Sequence, residues 1–182
     1  MNKTNLEKRI YKAQCYGNVE PIEYMTPYPN LPALVEGQNV KYKDHLLYHD
    51  LDMTNEDFFK LVQKTTHWLK ASGTKPKDRV LISGIQFPWA ECIAFAVWTI
   101  GGTLVISNQD DYQTAKSLSK PKLTVQADIN VEKEINAFDE QFEPEFNANL
   151  QDEALIYWTK GNGVRLSHYN LLVNANGVQK KL

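Results

Sequence analysis

The sequence predicts an α/β fold in which a mostly parallel sheet carries helices on both faces, together with short antiparallel strand pairs. Three observations lead to this prediction. Short apolar stretches alternate along the chain with segments of helical periodicity. The stretches are apolar at consecutive positions, which is typical of strands buried on both faces. Glycine or proline separates most of the segments, and such an alternation favours helices packed on each side of a parallel sheet.

The chain divides into a short arm and one domain. Residues 1–32 are expected to form an extended N-terminal arm, because the stretch YMTPYPNLP contains three prolines, each of which fixes φ and removes a backbone donor. Residues 33–182 are expected to form a single α/β domain. At its start, residues 33–35 and 46–48 are apolar, and they are predicted to be two paired strands with a long connection.

Two central helices have clear boundaries in the sequence. Thr54 is a predicted N-cap, followed by acidic residues that complement the helix dipole, and the helix is expected to run to about residue 71 before Gly73 stops it. Pro88 opens a second helix, which is apolar nearly all round and is therefore predicted to be buried. Gly101 and Gly102 end it.

The remaining segments complete the alternation. The apolar segments at 80–83, 104–107, 123–125 and 154–158 are predicted to be strands. A short helix is expected over 112–118, and Ser167 is expected to cap a last helix that runs through residue 178.

Composition excludes several classes of partner. A net charge of -2 gives no bulk attraction to nucleic acid or to an anionic membrane surface. No stretch of eighteen apolar residues occurs and the first residues lack a secretory signal, so we expect a cytoplasmic protein without a membrane partner. Cys15 and Cys92 lie far apart, and His45 and His49 have no third ligand nearby in sequence. No metal site is expected.

Four short blocks occur in a distinctive order and spacing. They are Lys77-Asp78-Arg79-Val80, Gly101-Gly102-Thr103, Leu166-Ser167-His168 and Asn170-Leu171-Leu172. Together they resemble the N-terminal part of the AMP-forming adenylating enzymes, the superfamily of acyl-CoA synthetases, peptide-synthetase adenylation domains and luciferases. The resemblance covers the chain from about residue 33 onward. It implies the fold of the N-terminal subdomain of such enzymes, with ATP and magnesium as cofactors of a complete one.

The phosphate-binding loop of that family is altered in this chain. The family's loop reads approximately Thr-Ser-Gly-Thr-Thr-Gly-x-Pro-Lys-Gly, and the segment in its place is five residues shorter. The hydroxyl pair, the proline and the lysine have no clear counterpart. By this resemblance the residues of a degenerate nucleotide-binding loop are Thr159, Lys160, Gly161, Asn162, Gly163 and Arg165. A phosphate cradle needs several consecutive backbone donors, which so short a segment does not supply.

The shortened segment is predicted to be a tight hairpin. Strand-like sequence flanks the tripeptide Gly161-Asn162-Gly163, so either Gly161 and Asn162 or Asn162 and Gly163 are expected at the tip, with at least one residue at positive φ. Lys160 and Arg165 are expected close together near this end. Such a pair of basic side chains holds an anion in some proteins and stays solvated in more.

Two functional hypotheses remain, while a third, a free-standing nucleotide-binding protein, rests on the predicted sheet architecture alone, and a fold does not fix a function. In the first, the chain is a non-catalytic binding or scaffold module with no catalytic residues and no cofactor. In the second, it is a fragment or subunit of a split adenylate-forming ligase that activates a carboxylate with ATP and magnesium. Complete relatives continue far beyond this point, and catalysis by positioning needs those later groups together. The altered loop favours the first hypothesis.

The resemblance also implies a partner. In the family this sheet packs against a second subdomain, and an uncovered apolar face of several hundred Å² is a liability. Either the arm and the acidic segment 128–153 fold over that face, or a second copy or another protein covers it. Because both segments are polar, we expect a homo-oligomer. The acidic run itself is expected to be a solvated surface segment.

Overall fold

The computed structural model describes residues 28–179. The helices are α1 (Leu31–Tyr42), α2 (Asn55–Ala71), α3 (Trp89–Ile100), α4 (Tyr112–Ser119), α5 (Val131–Ile135) and α6 (His168–Gln179). The strands are β1 (Leu46–Tyr48), β2 (Met53–Thr54), β3 (Arg79–Ser83), β4 (Thr103–Ser107), β5 (Leu123–Gln126), β6 (Glu153–Thr159) and β7 (Asn162–Ser167). A 3-10 turn at His49–Leu51 joins β1 to β2.

Five strands form the main sheet, in the order β5-β3-β4-β6-β7. The first four of these are parallel, and β7 pairs antiparallel with β6. The small sheet of β1 and β2 is antiparallel. The predicted fold class is therefore confirmed, including the mostly parallel sheet and the short antiparallel pairs.

The centre of the sheet is buried on both faces. In β3, Val80 and Ile82 pack in the cluster that includes α3, whereas Leu81 packs with Tyr112 and Ala115 of α4 on the opposite face. Side chains of a strand alternate between faces, so helices on both sides are needed to bury all three. This is why the strand is apolar at consecutive positions.

Helix α2 begins and ends as its sequence predicts. The Thr54 hydroxyl accepts a hydrogen bond from the Asp57 amide, and the Asp57 carboxylate accepts one from the Thr54 amide, which completes a capping box. Helix α3 ends at Gly101, whose φ of 84° is the left-handed conformation that glycine adopts without strain. Gly102 follows where a Cβ atom would lie 2.9 Å from the Asp78 carbonyl oxygen, so only glycine fits.

The prediction of a strand at residues 33–35 was wrong, because these residues belong to α1. The Asn30 side chain caps this helix by accepting from the Ala33 amide at 3.0 Å, and proline occupies its first turn, where a missing donor costs nothing. The strand at 46–48 exists, but its partner is β2. Residues 1–27 of the expected arm, with Cys15, lie outside the described residues, and residues 31 and 32 are already helical.

The acidic segment 128–153 packs along α2 and does not merely lie in solvent. Glu140 pairs with Lys60 and Lys64, and Glu145 pairs with Lys70 at 2.6 Å. Such exposed pairs contribute little to stability, because water and salt screen them. The apolar residues of the segment do more, since Val131 and Ile135 are buried in the main core. Although its composition is polar, the segment therefore packs on the helical layer and covers part of it.

Among residues 28–179 the structure contains no helix that is both long enough and apolar enough to cross a bilayer.

Lys77 stores local backbone strain. It has a φ of 68°, and its amide donates to the Gly101 carbonyl at 2.8 Å, which holds the residue in the left-handed region. That conformation costs a residue with a Cβ atom roughly 1–2 kcal/mol, whereas glycine adopts it freely.

We therefore expect Lys77→Gly to stabilise the protein by about 0.5–1 kcal/mol, after the entropy that glycine adds to the unfolded chain is subtracted. Urea unfolding followed by far-UV circular dichroism measures the change. Lys75→Gly is the control, because Lys75 lies in the same loop but not at positive φ. A loss of stability in both variants would show that the backbone at Lys77 is not strained.

Candidate functional site

The candidate site lies at the carboxyl ends of the parallel strands. Strand β3 leads into α3 on one face of the sheet, and β4 leads into α4 on the other. The chain therefore departs in opposite directions from two neighbouring strands. In open α/β sheets this arrangement leaves a crevice between the strand ends, where ligands commonly bind.

Two serine side chains lie at these strand ends. Ser83 of β3 and Ser107 of β4 are paired in register, and both are almost fully buried. Alternation along the strands places both on the α4 face, since Leu81 and Val105 two residues earlier pack there. Neither hydroxyl has a hydrogen-bond partner among the described residues. Unpaired buried hydroxyls are uncommon, because burying a hydroxyl without a hydrogen-bond partner destabilises the folded state.

The turn between β6 and β7 is a closed two-residue hairpin. Thr159 pairs with Asn162, so Lys160 and Gly161 form the tip, with φ of 50° and 74°. Positive φ at both central residues is the type I′ pattern. The prediction of a hairpin with positive φ is confirmed, whereas both predicted positions of the tip were too late, Gly161 with Asn162 by one residue and Asn162 with Gly163 by two.

Trp158 explains the position of the tip. Gly163 lies opposite Trp158 in the ladder, and a Cβ atom at Gly163 would come within 2.9 Å of the indole ring. Gly163 is therefore needed within the strand, to leave room for the ring, and is not part of the turn. The indole in turn donates to the Ser119 hydroxyl at 2.9 Å, which ties the hairpin to the end of α4.

The hairpin tip is closed by an internal carboxylate. The Gly161 amide donates to Asp111 Oδ1 at 2.7 Å, and the Asp111 amide donates to Asn108 Oδ1 at 2.7 Å. Asp111 precedes α4 and is 8% exposed. Within the tip, the Asn162 side-chain amide donates to the Lys160 carbonyl at 3.1 Å. A backbone donor that an external anion would need is thus already bound to a fixed negative charge.

The predicted proximity of Lys160 and Arg165 is not observed. Arg165 lies opposite Ile156, three residue pairs away from the turn, and its guanidinium pairs with Glu153. Glu153 also pairs with Arg79 at 2.9 Å, so one carboxylate joins β3, β6 and β7. Because Arg165 is engaged at the other end of the strand, the two basic residues do not form a common anion site.

His168 follows the Ser167 cap and lies in the core. It is 1% exposed, and its Nδ1 accepts a hydrogen bond from the Leu31 amide at 3.3 Å. Burial lowers the pKa of His168 to about 4, although the Asp152 carboxylate acts in the opposite direction. The neutral ring therefore joins the start of α6 to the start of α1, as a structural contact.

Sequence reasoning identified the hairpin but missed the carboxylate that bonds its tip and the two serines at the neighbouring strand ends. Asp111, Ser83 and Ser107 were not predicted to take part. The signal available for Asp111 was its place immediately before a short predicted helix, where acidic residues serve as caps. The serines had no signal, because an isolated serine at a strand end is ordinary. No three histidine, cysteine or acidic side chains among residues 28–179 are grouped as a metal site requires.

The arrangement of strands, helices and terminal hairpin defines a class of fold. It is the fold of the N-terminal subdomain of adenylate-forming ligases, and the resemblance seen in the sequence is confirmed at this level. No family model matches the sequence, and no curated protein matches it.

Three solved structures illustrate the similarity. The fatty acyl-adenylate ligase from L. pneumophila, solved with acyl adenylate and pyrophosphate, has a TM-score of 0.70 at 20% identity and covers 85% of this chain and 33% of its own. The artificially fused NpsA-ThdA adenylation-PCP di-domain from Klebsiella oxytoca has a TM-score of 0.68 at 14% identity, and the match covers 78% of this chain and 30% of the di-domain. The N-terminal domain of FACL13 from Mycobacterium tuberculosis has a TM-score of 0.66 at 16% identity, and the match covers 76% of this chain and 44% of that domain. This chain spans less than half of the length of each.

The buried His168 makes stability depend on pH. Its folded pKa of about 4 is below the ordinary 6.5, so the unfolded chain binds more protons between these values. The part of the unfolding free energy that depends on the neutral His168 ring is complete above pH 6.5 and is lost as the pH falls toward 4. One pKa unit corresponds to about 1.4 kcal/mol, which gives a loss of about 2 kcal/mol between pH 7 and about pH 5.

We expect His168→Asn to remove this part of the pH dependence, whatever its effect on stability at neutral pH. Urea unfolding of both proteins at pH 7 and at about pH 5 measures how much unfolding free energy each protein loses between the two pH values. Every other ionisable group is present in both proteins, so the comparison isolates the imidazole together with its interaction with Asp152. An equal loss in wild type and variant would show that His168 is not the titrating group.

Proposed function

We propose that this chain is a non-catalytic binding or scaffold module built on the fold of an adenylate-forming N-terminal subdomain. The observation that carries the proposal is the hydrogen bond from the Gly161 amide to the Asp111 carboxylate, at the end of a two-residue turn. An active subdomain would need that end of the hairpin to be open to phosphate.

Electrostatics supports the proposal. A phosphate bound at the tip would lie close to Asp111, and two like charges about 4 Å apart repel by roughly 4 kcal/mol near a protein surface. The two basic residues of the hairpin do not offset this, because Arg165 is paired with Glu153 and the Lys160 side chain is exposed to solvent, which screens its charge. Displacing Asp111 would also leave a carboxylate that is 8% exposed without its donor.

The shape of the turn supports it as well. Asn162 and Gly163 continue the β7 ladder opposite Thr159 and Trp158, so the predicted loop residues are used in strand pairing. A concave phosphate site is made from successive amides that point to one centre, and a type I′ turn does not provide them.

ATP binding tests this proposal. We expect titration calorimetry with Mg-ATP to show no binding tighter than about 1 mM, and a hydroxamate trapping assay to show no carboxylate activation. A complete adenylation domain measured in parallel serves as the positive control. Low-micromolar affinity that is lost in Lys160→Ala but retained in Lys64→Ala, a lysine on α2, would overturn the proposal and favour the split ligase.

We also propose that the chain self-associates through β7. No strand among the described residues pairs with the outer side of β7, which leaves a row of backbone donors and acceptors free for another strand. Val164 of β7 lies opposite Tyr157 of β6, and each is about half exposed. This cross-strand pair extends an apolar row toward the open edge.

A second copy fits this edge by symmetry. If two β7 strands pair antiparallel about a two-fold axis at Val164, each Arg165 lies opposite Gly163 of the other copy. The arrangement avoids a direct contact between like charges and places the two Val164 side chains together. Glu153 already neutralises each Arg165, which lowers the remaining repulsion.

Light scattering coupled to size exclusion tests this arrangement. We expect a mass twice that of the 20.9 kDa chain at high micromolar concentration, and a monomer for Val164→Lys, because edge charges block strand pairing. Val178→Lys is a matched control, since Val178 is about as exposed but lies on α6. A monomeric wild type, or dissociation of both variants, would contradict pairing through β7.

A further inference from the structure

An acidic strap, residues 139–146, crosses α2 between two fixed ends. Before the strap, Ile135 of α5 is buried in the main core, and after it Ala148 is 7% exposed. The Ala148 carbonyl accepts a hydrogen bond from the Asn30 side-chain amide at 3.0 Å, which joins this end to the start of α1. The strap can therefore leave α2 only as a loop that stays attached at both ends.

The strap has no backbone pairing of its own. Within residues 28–179, none of its backbone groups bonds to another backbone group. The Phe142 amide donates to Gln63 Oε1 at 3.0 Å, and the Gln141 carbonyl accepts from His67 Nε2 at 2.7 Å. Side chains of α2 thus hold the backbone of the strap. Segments without backbone pairing open with free energies far below that of global unfolding.

Charge also holds the strap on α2. The strap contains no basic residue and four acidic ones, Asp139, Glu140, Glu143 and Glu145. Lys64 pairs with Glu140 at 3.3 Å. Lys70 pairs with Glu145 at 2.6 Å. Because these pairs are largely exposed, dissolved salt screens them and weakens the attraction between the strap and the helix.

The packing beneath the strap is incomplete. The Phe142 ring meets the His67 ring edge-on, with 5.0 Å between the centroids, and the Phe146 ring lies against Gly101. Both phenylalanines remain partly exposed. Together with Ile100 they line a cavity of about 340 Å³ between the strap and the ends of α2 and α3. An empty volume supplies no dispersion contacts, so the strap is held less firmly than the core.

From these features we propose that the strap is a conformational device, which opens as a unit while the rest of the domain stays folded. Opening breaks the bonds to Gln63 and His67 together with the ion pairs, and it uncovers the cavity wall at Ile100. Ionic strength sets how often the strap opens, because it acts on the ion pairs. The inference is independent of the proposed function, since it uses no residue of the hairpin.

Native-state proteolysis tests the proposal. A glutamyl endopeptidase cuts after glutamate, and the strap contains three glutamates. We measure the rate of cleavage within the strap by mass spectrometry and divide it by the rate for a synthetic peptide of residues 136–150. This ratio, the corrected rate, removes the effects of salt and urea on the protease. We expect the corrected rate to rise about threefold or more between about 50 and about 500 mM NaCl.

Urea separates local opening from global unfolding. Local opening exposes little surface, so we expect the corrected rate to rise less than about threefold between 0 and about 1 M urea. Cleavage that required global unfolding would rise at least about fivefold over the same range, because the whole core would be exposed.

Variants separate the two kinds of attachment. We expect Lys64→Gln to raise the corrected rate at low salt about twofold to threefold and to reduce its dependence on salt. Gln63→Leu keeps the size of the side chain but removes the acceptor of the Phe142 amide, and we expect a rise of about fivefold. Lys116→Gln is the matched control, since Lys116 is an exposed lysine of α4, away from the strap. Circular dichroism checks that each variant is folded.

Three results would overturn the proposal. The first is a corrected rate with the urea dependence of global unfolding, and the second is a corrected rate that does not change with salt. The third is a corrected rate that Lys64→Gln or Gln63→Leu leaves at the level of Lys116→Gln.

Discussion

Burial of the two central strands on both faces is the constraint on which the rest of this fold depends. Val80, Leu81 and Val105 have no exposed surface, and each needs cover from the side to which it points. Helix α3 supplies that cover on one face and α4 on the other. Since the two helices follow neighbouring strands, the same requirement that buries the core also creates the crevice at the strand ends. The position of the candidate site is thus a result of packing.

The parts of the fold that were predicted correctly have strong local signals. Thr54 with Asp57, Gly101 after an apolar helix, and the consecutive apolar residues of β3 each specify their structure within a few positions of sequence. Residues 33–35 did not, because their apolar pattern fits a strand and a helix equally well. The decisive residue was Asn30, whose capping hydrogen bond to the Ala33 amide is formed by a side chain that sequence reasoning had assigned to the arm.

The site was predictable only where its contacts are local. The hairpin follows from glycine and asparagine between two strand-like stretches, but the tip depends on Trp158, whose ring needs the space beside Gly163. Asp111 reaches Gly161 across fifty positions of sequence, and Glu153 joins arginines from two different strands. Contacts between distant segments have no periodicity and no motif. A single sequence contains the residues that make them but not their pairing.

The open space beside Gly161 has a consequence for the evolution of such a protein. A Cβ atom placed on this residue would meet nothing within 4 Å, so one side of the turn is open although its amide is bound to Asp111. Closing entropy grows slowly with loop length, and added residues there would disturb neither β6 nor β7. Insertion at this turn therefore alters the chemistry of the strand end, since it displaces the bond from the Gly161 amide to Asp111, while β6 and β7 stay paired. The turn is a natural graft point, at which a longer loop from a related protein can be exchanged while the sheet beneath it stays the same.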